Sequence, residues 1–184
     1  MRLFVSIDLD GLAAAVAAVQ EPLASVSGLD LVDPNQTHVT LKFLGEVGEK
    51  SVPEIETAVS EAVRTTAIRP FTATFEGLGA FPNSDYIRVV WLGVSDGASE
   101  LTRLYEAIER RLIEEGFEPE SHEFTPHVTL GRMRHGGGKE KLQRALETEG
   151  VTAGSMEVRE VRLKESLLSG DAPEYVTVSR FELI

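Results

Sequence analysis

The succession of periodic segments predicts an α+β fold of two similar lobes, a bilobal duplicated fold with two antiparallel sheets facing a central cleft and helices on the outside. Three observations predict it. After an opening strand, the unit of helix, strand, helix and two strands occurs twice. The first strand of each unit opens with the same tetrapeptide, at His38–Leu41 and again at His127–Leu130, about half the chain apart. The connections are short Gly, Pro, Asn and Asp turns, with no low-complexity stretch or long linker. Residues 1–184 are therefore expected to form a single two-lobed domain.

Taken in order, residues 2–9 alternate, with Leu3, Val5, Ile7 and Leu9 on one face and Phe4, Ser6 and Asp8 on the other, the pattern of a half-buried strand. Gly11 breaks it. A helix runs from Leu12 to about Val26, bent or shortened by Pro22 and stopped at Gly28. Asp33–Gln36 is a turn, Thr37–Leu44 is the first repeated strand, and Gly45 and Gly48 close it. Ser51 with Glu54 has the spacing of a capping box for a helix reaching about Thr66. Phe71–Leu78 and Tyr86–Val94 are strands of a wide hairpin. Ala98–Glu115 is an amphipathic helix with Leu101, Leu104, Tyr105, Ile108 and Leu112 in register, ended by Gly116. Thr125-Pro126 leads into the second repeated strand. His135–Gly138 is a loop, Lys139–Thr148 a short helix, and Ser155–Leu168 and Tyr175–Leu183 the last two strands.

Composition narrows the chemistry. The chain has no cysteine, which excludes disulfides, thiolate metal sites and thiol nucleophiles. The N-terminus is charged too soon for a signal peptide, and no apolar run approaches a membrane span, so a cytoplasmic protein without a membrane partner is expected. A net charge of −12 repels a long polyanion and argues against extended tracking along nucleic acid. It leaves room for a small anion site lined by local donors. An acidic surface with few lysines fits a high-salt cytoplasm and an ordinary acidic protein equally well. A monomer is expected.

Alternate residues of a strand share a face. Strict alternation puts His38, Thr40 and Lys42 on one side, with Val39, Leu41 and Phe43 behind. It likewise puts His127, Thr129 and Gly131 together, with Val128 and Leu130 behind. If the apolar sides pack on helices, the two histidines look into the cleft. Two opposed imidazoles suit general acid–base chemistry near neutral pH, one taking a proton as the other gives one. The hydroxyls of Thr40 and Thr129 can donate to the non-bridging oxygens of a phosphate, and Lys42 adds positive charge. No carboxylate lies on either motif face, which argues against metal ligation; neither a metal nor an organic cofactor is expected. The set fits metal-free in-line displacement at a phosphodiester. Phe4 and Phe43 are candidates for stacking on a base as well as for the core. His122 and His135 lie outside the motif and read as exposed loop residues.

His38-Val39-Thr40-Leu41-Lys42-Phe43-Leu44-Gly45 and His127-Val128-Thr129-Leu130-Gly131-Arg132 resemble the paired motifs of the two-histidine phosphoesterases. The match is closest to the RNA 2′,3′-cyclic phosphodiesterase branch, the 2′-5′ RNA ligase family, whose first strand Arg2–Asp8 also resembles. The resemblance implies a site in a central groove on a pseudo-twofold axis. It implies metal-independent hydrolysis of a ribose 2′,3′-cyclic phosphate to a 2′-phosphomonoester, with RNA 3′ ends or small cyclic nucleotides as substrates. His38 would donate a proton to the leaving 3′-oxygen and His127 would activate water. Thr40 and Thr129 would hold the phosphate, and Arg132 matches a basic position that follows the second motif. Strict alternation puts Arg132 on the face opposite His127, so it reaches the site only if the strand twists, bulges or ends there.

Two other readings use the same residues. A non-catalytic RNA-end or nucleotide-binding module could occupy the same fold. A serine esterase is hinted at by Gly93-Val94-Ser95-Asp96-Gly97, a G-x-S-x-G match, and by His135-Gly136-Gly137-Gly138, which resembles an oxyanion loop. That loop should precede the nucleophile, and here it follows. The hairpins also do not suggest a parallel sheet, so Ser95 or Asp96 is more simply a turn residue or N-cap of the next helix.

Overall fold

A computed structural model describes residues 1–184. The chain forms β1 (Arg2–Asp8), α1 (Ala13–Gln20), β2 (Leu29–Leu31), β3 (His38–Glu46), α2 (Val52–Thr66), β4 (Phe71–Pro82) and β5 (Ile87–Val94). It continues with α3 (Ala98–Glu114), β6 (His127–Met133), α4 (Lys139–Leu146), β7 (Thr152–Val158), β8 (Glu160–Ser169) and β9 (Ala172–Glu182). Two sheets result, ordered β3-β1-β8-β9 and β2-β6-β5-β4-β7, and every strand pairing in both is antiparallel. The α+β class with two antiparallel sheets is thus the observed one.

The helices cover the outer faces. Ile55, Ala58, Val59, Ala62 and Val63 make the buried stripe of α2; Leu101, Leu104, Ile108 and Leu112 make that of α3. These stripes meet each other and the back of the first sheet, against β3 and β9. Helices α1 and α4 lie behind the second sheet, against β7 and β4. One cluster of 35 buried apolar residues runs through both lobes.

The lobes are not the two halves of the sequence. The hairpin β4–β5, which follows the first motif, joins the sheet of the second motif strand, β6. Strands β8 and β9, which follow the second motif, join β1 and the first motif strand, β3. Helix α2 carries the chain from β3 to β4 in the other lobe, α3 packs on α2 and β3 before the chain returns to β6, and the step from β7 to β8 crosses back. The exchange locks the lobes together through the chain itself.

Local expectations fared unevenly. Pro22 shortens the first helix, which gives way to a 3-10 turn at Glu21–Leu23. The capping box at Ser51 is not formed, because a 3-10 turn at Glu49–Ser51 runs directly into α2 and leaves the Ser51 backbone helical. Gly97, not Ser95 or Asp96, caps α3, with φ of 89° and the Thr72 carbonyl 2.8 Å from where a Cβ would sit. The expected strand Ser155–Leu168 is two strands, β7 and β8, one in each sheet, parted at Arg159. The three-residue strand β2, which pairs with β6, is an addition.

Candidate active site

The motif strands β3 and β6 lie next to each other where the sheets meet, with Cα atoms within 8 Å. Each carries a bulge at the same place. On β3, Thr40 pairs with Ser6 and Lys42 with Val5, so Leu41 is the extra residue. On β6, Thr129 pairs with Trp91 and Gly131 with Val90, so Leu130 is the extra residue. A bulge reverses the alternation that follows it. His38, Thr40 and Phe43 therefore share the cleft face, together with Phe4, Ser6 and Asp8 of β1. His127, Thr129 and Arg132 share the cleft face of the other lobe. Arg132 reaches the cleft by this route, and its charge bears on both imidazoles.

The same reversal overturns the placement of Lys42 and Gly131, which turn to the back of their strands. Lys42 is 3% exposed, and its ammonium donates to both carboxylate oxygens of Glu109 at 3.1 Å and to the Glu118 carbonyl at 2.6 Å. It is a buried tie to α3, with no reach into the cleft. At Gly131 a Cβ would stand 2.9 Å from the Asp30 carbonyl, so the missing side chain is what lets β2 lie against β6. Phe4 is also corrected. It is 3% exposed, packed against His38 at 5.0 Å, Phe43 at 6.3 Å and Tyr175 at 5.1 Å between ring centroids, and offers no free face to a base. Phe43, 64% exposed on the cleft rim, does.

The two histidines are held alike. His38 Nδ1 lies 2.9 Å from the Gln36 carbonyl, and His127 Nδ1 lies 2.6 Å from the Thr125 carbonyl, each two residues back. A carbonyl only accepts, so Nδ1 carries the hydrogen in both rings and Nε2 is the titrating nitrogen. Each ring is wedged between two aromatics, one edge-on and one tilted. For His38 these are Tyr175 at 5.2 Å and Phe4; for His127 they are Phe81 at 4.9 Å and Trp91 at 5.8 Å. Burial lowers the proton affinity of both imidazoles. The backbone acceptors, Gln36 and Thr125, partly offset this, whereas Arg132 adds to it. At His38 the charges of Asp8, which favours the proton, and Lys164, which opposes it, also act.

Several contributors escaped the sequence reading. Gln36 clamps the turn before His38 to β9, its side chain donating to the Pro173 carbonyl and accepting from the Tyr175 N–H, which sets Tyr175 beside the ring. Gln20 on α1 donates to the carbonyls of Leu130 and Val32 and so braces the β6 bulge from behind. A polar cavity of about 210 Å³ opens beside His38, lined by Asp8, Asp10, Gln36, Arg162, Lys164 and Tyr175 among others. Alternation along β1 already placed Asp8 and Ser6 on the side opposite its core residues; nothing local marked Lys164 or Tyr175.

Trp91 lies across Gly79, where a Cβ would come within 2.2 Å of the indole. The ring keeps this place although its N–H is buried without an acceptor, at a cost of about 1–3 kcal/mol. Gly79→Ala must therefore displace the indole from His127. Because Trp91 is the only tryptophan, intrinsic fluorescence reads the displacement directly, and a red-shifted emission is expected. An unchanged spectrum would show that the ring does not depend on the glycine.

The fold and the paired histidines define a class, the two-histidine phosphoesterases. Residues 9–167 match the profile of the 2′-5′ RNA ligase superfamily, and the chain belongs to that family. A protein of Archaeoglobus fulgidus named RNA 2′,3′-cyclic phosphodiesterase is 40% identical over 99% of this chain and 100% of its own. One of the same name from Methanothermobacter thermautotrophicus is 38% identical over 100% and 99%. Among solved structures, TT0787 of Thermus thermophilus superposes with a TM-score of 0.78 at 28% identity, covering 100% of this chain and 98% of that one. LigT of E. coli complexed with 3′-AMP gives 0.76 at 25%, covering 99% and 97%.

The esterase reading fails on the fold. A nucleophile elbow sits on a strand of a parallel sheet, and no strand pair here is parallel. Ser95 and Asp96 form the turn from β5 to α3 and are tied to Thr74 of β4. His122 and His135 are exposed, as expected. No group of three or more His, Asp or Glu side chains is placed to hold a metal ion, and no helix is long and apolar enough to cross a membrane.

Proposed function

We propose that the chain hydrolyses ribose 2′,3′-cyclic phosphates, on RNA 3′ ends or small cyclic nucleotides, to 2′-phosphomonoesters without a metal ion. The observation that carries this is the matched pair of imidazoles on the cleft faces of adjacent strands, each with Nδ1–H committed to a backbone carbonyl. The names borne by the Archaeoglobus and Methanothermobacter relatives support it.

In the proposed step His127 Nε2 takes a proton from water, whose oxygen attacks phosphorus in line with the 3′-oxygen. The bond from phosphorus to the 3′-oxygen breaks, and that oxygen takes the proton of His38 Nε2. The 2′-ester bond stays, so the product is a 2′-phosphate with a free 3′-hydroxyl. His127 ends protonated and His38 neutral, and exchange with solvent restores both. Thr40 and Thr129 donate to the non-bridging oxygens, and Arg132 supplies the positive charge that the gathering negative charge needs. Phe43 offers the exposed ring on which the base stacks.

Incubation with 2′,3′-cyclic AMP in EDTA, with the products resolved by chromatography, tests the reading. Formation of 2′-AMP is expected. Formation of 3′-AMP would mean that the 2′-oxygen leaves, and would reverse the substrate's orientation. Tight binding without turnover would favour the non-catalytic module instead.

A further inference from the structure

The two histidines sit in nearly matching frames, so something outside the shared tetrapeptides must set their roles apart. The first four motif residues, the bulge, the backbone acceptor and the aromatic pair are shared. The strand that pairs with each motif is not. Asp8 of β1 lies directly opposite His38 in the register, and Gly93 of β5 lies directly opposite His127. One imidazole faces a carboxylate across its strand pair, and the other faces no side chain.

The carboxylate is built in. Asp8 accepts from Lys164 Nζ at 2.7 Å, from the Arg162 guanidinium at 2.8 Å and from the Ser6 hydroxyl at 2.8 Å. These partners hold its carboxyl below the ordinary range despite burial, so it stays ionised. Arg162 is matched by its own acids, Asp10 at 2.6 Å and Glu160 at 2.7 Å. What remains beside His38 is Asp8 with Lys164. The other groups facing the ring are Tyr175 of β9 and, across the cleft, Arg132 of β6.

We infer that Asp8 is the positioning residue that keeps a proton on His38, and that its absence opposite His127 is what separates the acid from the base. This rests on the proposed hydrolysis and goes beyond it, because the shared tetrapeptides do not distinguish the two roles. Burial strips both imidazoles of protons, which suits a base and works against an acid. A fixed negative charge beside only one ring, acting on it more strongly than the Lys164 cation does, offsets part of that loss where a proton has to be held.

The sign can be tested in both directions. In kcat/KM against pH for 2′,3′-cyclic AMP, the alkaline limb reports loss of the His38 proton and the acid limb reports protonation of His127. Asp8→Asn removes the negative charge and leaves Lys164 unopposed, so the alkaline limb is expected to move down by about one pH unit while the acid limb stays. Lys164→Met removes the opposing cation, and the same limb is expected to move up. This second variant carries the test if Asp8→Asn does not fold. Titration of the two imidazoles by NMR should show the same shifts at His38 and none at His127. A loss of rate with both limbs in place, or a movement of both limbs together, would overturn the inference. The NMR titration reads Asp8 even in a protein without turnover, so failure of the hydrolysis reading is distinguished from failure of this one.

Discussion

His127→Ala is expected to lower kcat/KM for a 2′,3′-cyclic nucleotide by about 10²–10⁴-fold, the span that one general base contributes. His38→Ala should cost a similar factor. The double variant should be little worse than either alone, because the two groups act as a unit and removing one already strands the other. The pH dependence adds a sharper test. The base must be neutral and the acid protonated, which makes the profile a bell. Burial is the largest influence on both imidazoles and pushes both below their ordinary value of 6.5. The rate then rises with pH as His127 loses its proton and falls as His38 loses its own. The maximum of kcat/KM is expected on the acid side of that value. His127→Ala should abolish the rising limb, and His38→Ala the falling one. An alanine variant with full activity, or an optimum well into the alkaline range, would contradict the pair as acid and base.

The parts of the fold that a period can announce were legible. The alternation of β1 and the apolar stripes of α2 and α3 lie where the residue spacing puts them, because a half-buried strand and a helix on a sheet each need one continuous apolar face. What a period cannot announce is which edge a strand pairs with. Nothing local says that β4 and β5 join β6 while β8 and β9 join β1 and β3, since a strand's alternation fixes its faces and leaves its edge partners open. Strand β2 is three residues long and held mainly by pairing with β6, too short for any pattern. The join between β7 and β8 passes as one strand because a break of one residue, Arg159, leaves the polar and apolar texture unchanged.

The site divides along the same line. His38, Thr40, His127 and Thr129 precede the bulges, and alternation placed all four on the cleft faces. Lys42, Phe43, Gly131 and Arg132 follow the bulges, and for all four alternation pointed the wrong way. Two consecutive buried residues mark each bulge, Leu41-Lys42 and Leu130-Gly131. A lysine and a glycine do not read as buried residues, so the doubled inward step was invisible without the register. The sixth residue of each motif, Phe43 in one lobe and Arg132 in the other, is where the near-symmetric cleft gains a direction for the substrate. One lobe offers an apolar ring and the other a cation.

The buried tie made by Lys42 predicts a large effect on stability with little on catalysis. Its ammonium is out of reach of solvent and depends on Glu109, on the Glu118 carbonyl and, at 3.6 Å, on Glu120. Glu109→Ala leaves a buried charge with one distant carboxylate. The expected loss is about 3 kcal/mol, within the range seen when one partner of a buried pair is removed. For a chain of this size that is a fall in Tm of roughly 6–12 °C. Lys42→Met should cost less, because the unbranched apolar chain fills the same channel and Glu109 retains some contact with solvent. Joining Lys42→Met with Glu109→Leu should recover most of the stability lost in Glu109→Ala, since a buried pair replaced by apolar side chains of similar volume is often near neutral. Urea unfolding of the three variants gives the order directly. Steady-state kinetics on the folded variants decides between the two roles that Lys42 could have. A tie to α3 leaves KM for the cyclic nucleotide within about twofold of the parent, because the ammonium points away from the cleft. A phosphate ligand would raise KM by about tenfold or more for the loss of one charge-assisted hydrogen bond. A raised KM in Lys42→Met with stability intact would return the lysine to the substrate and contradict the bulge-driven placement.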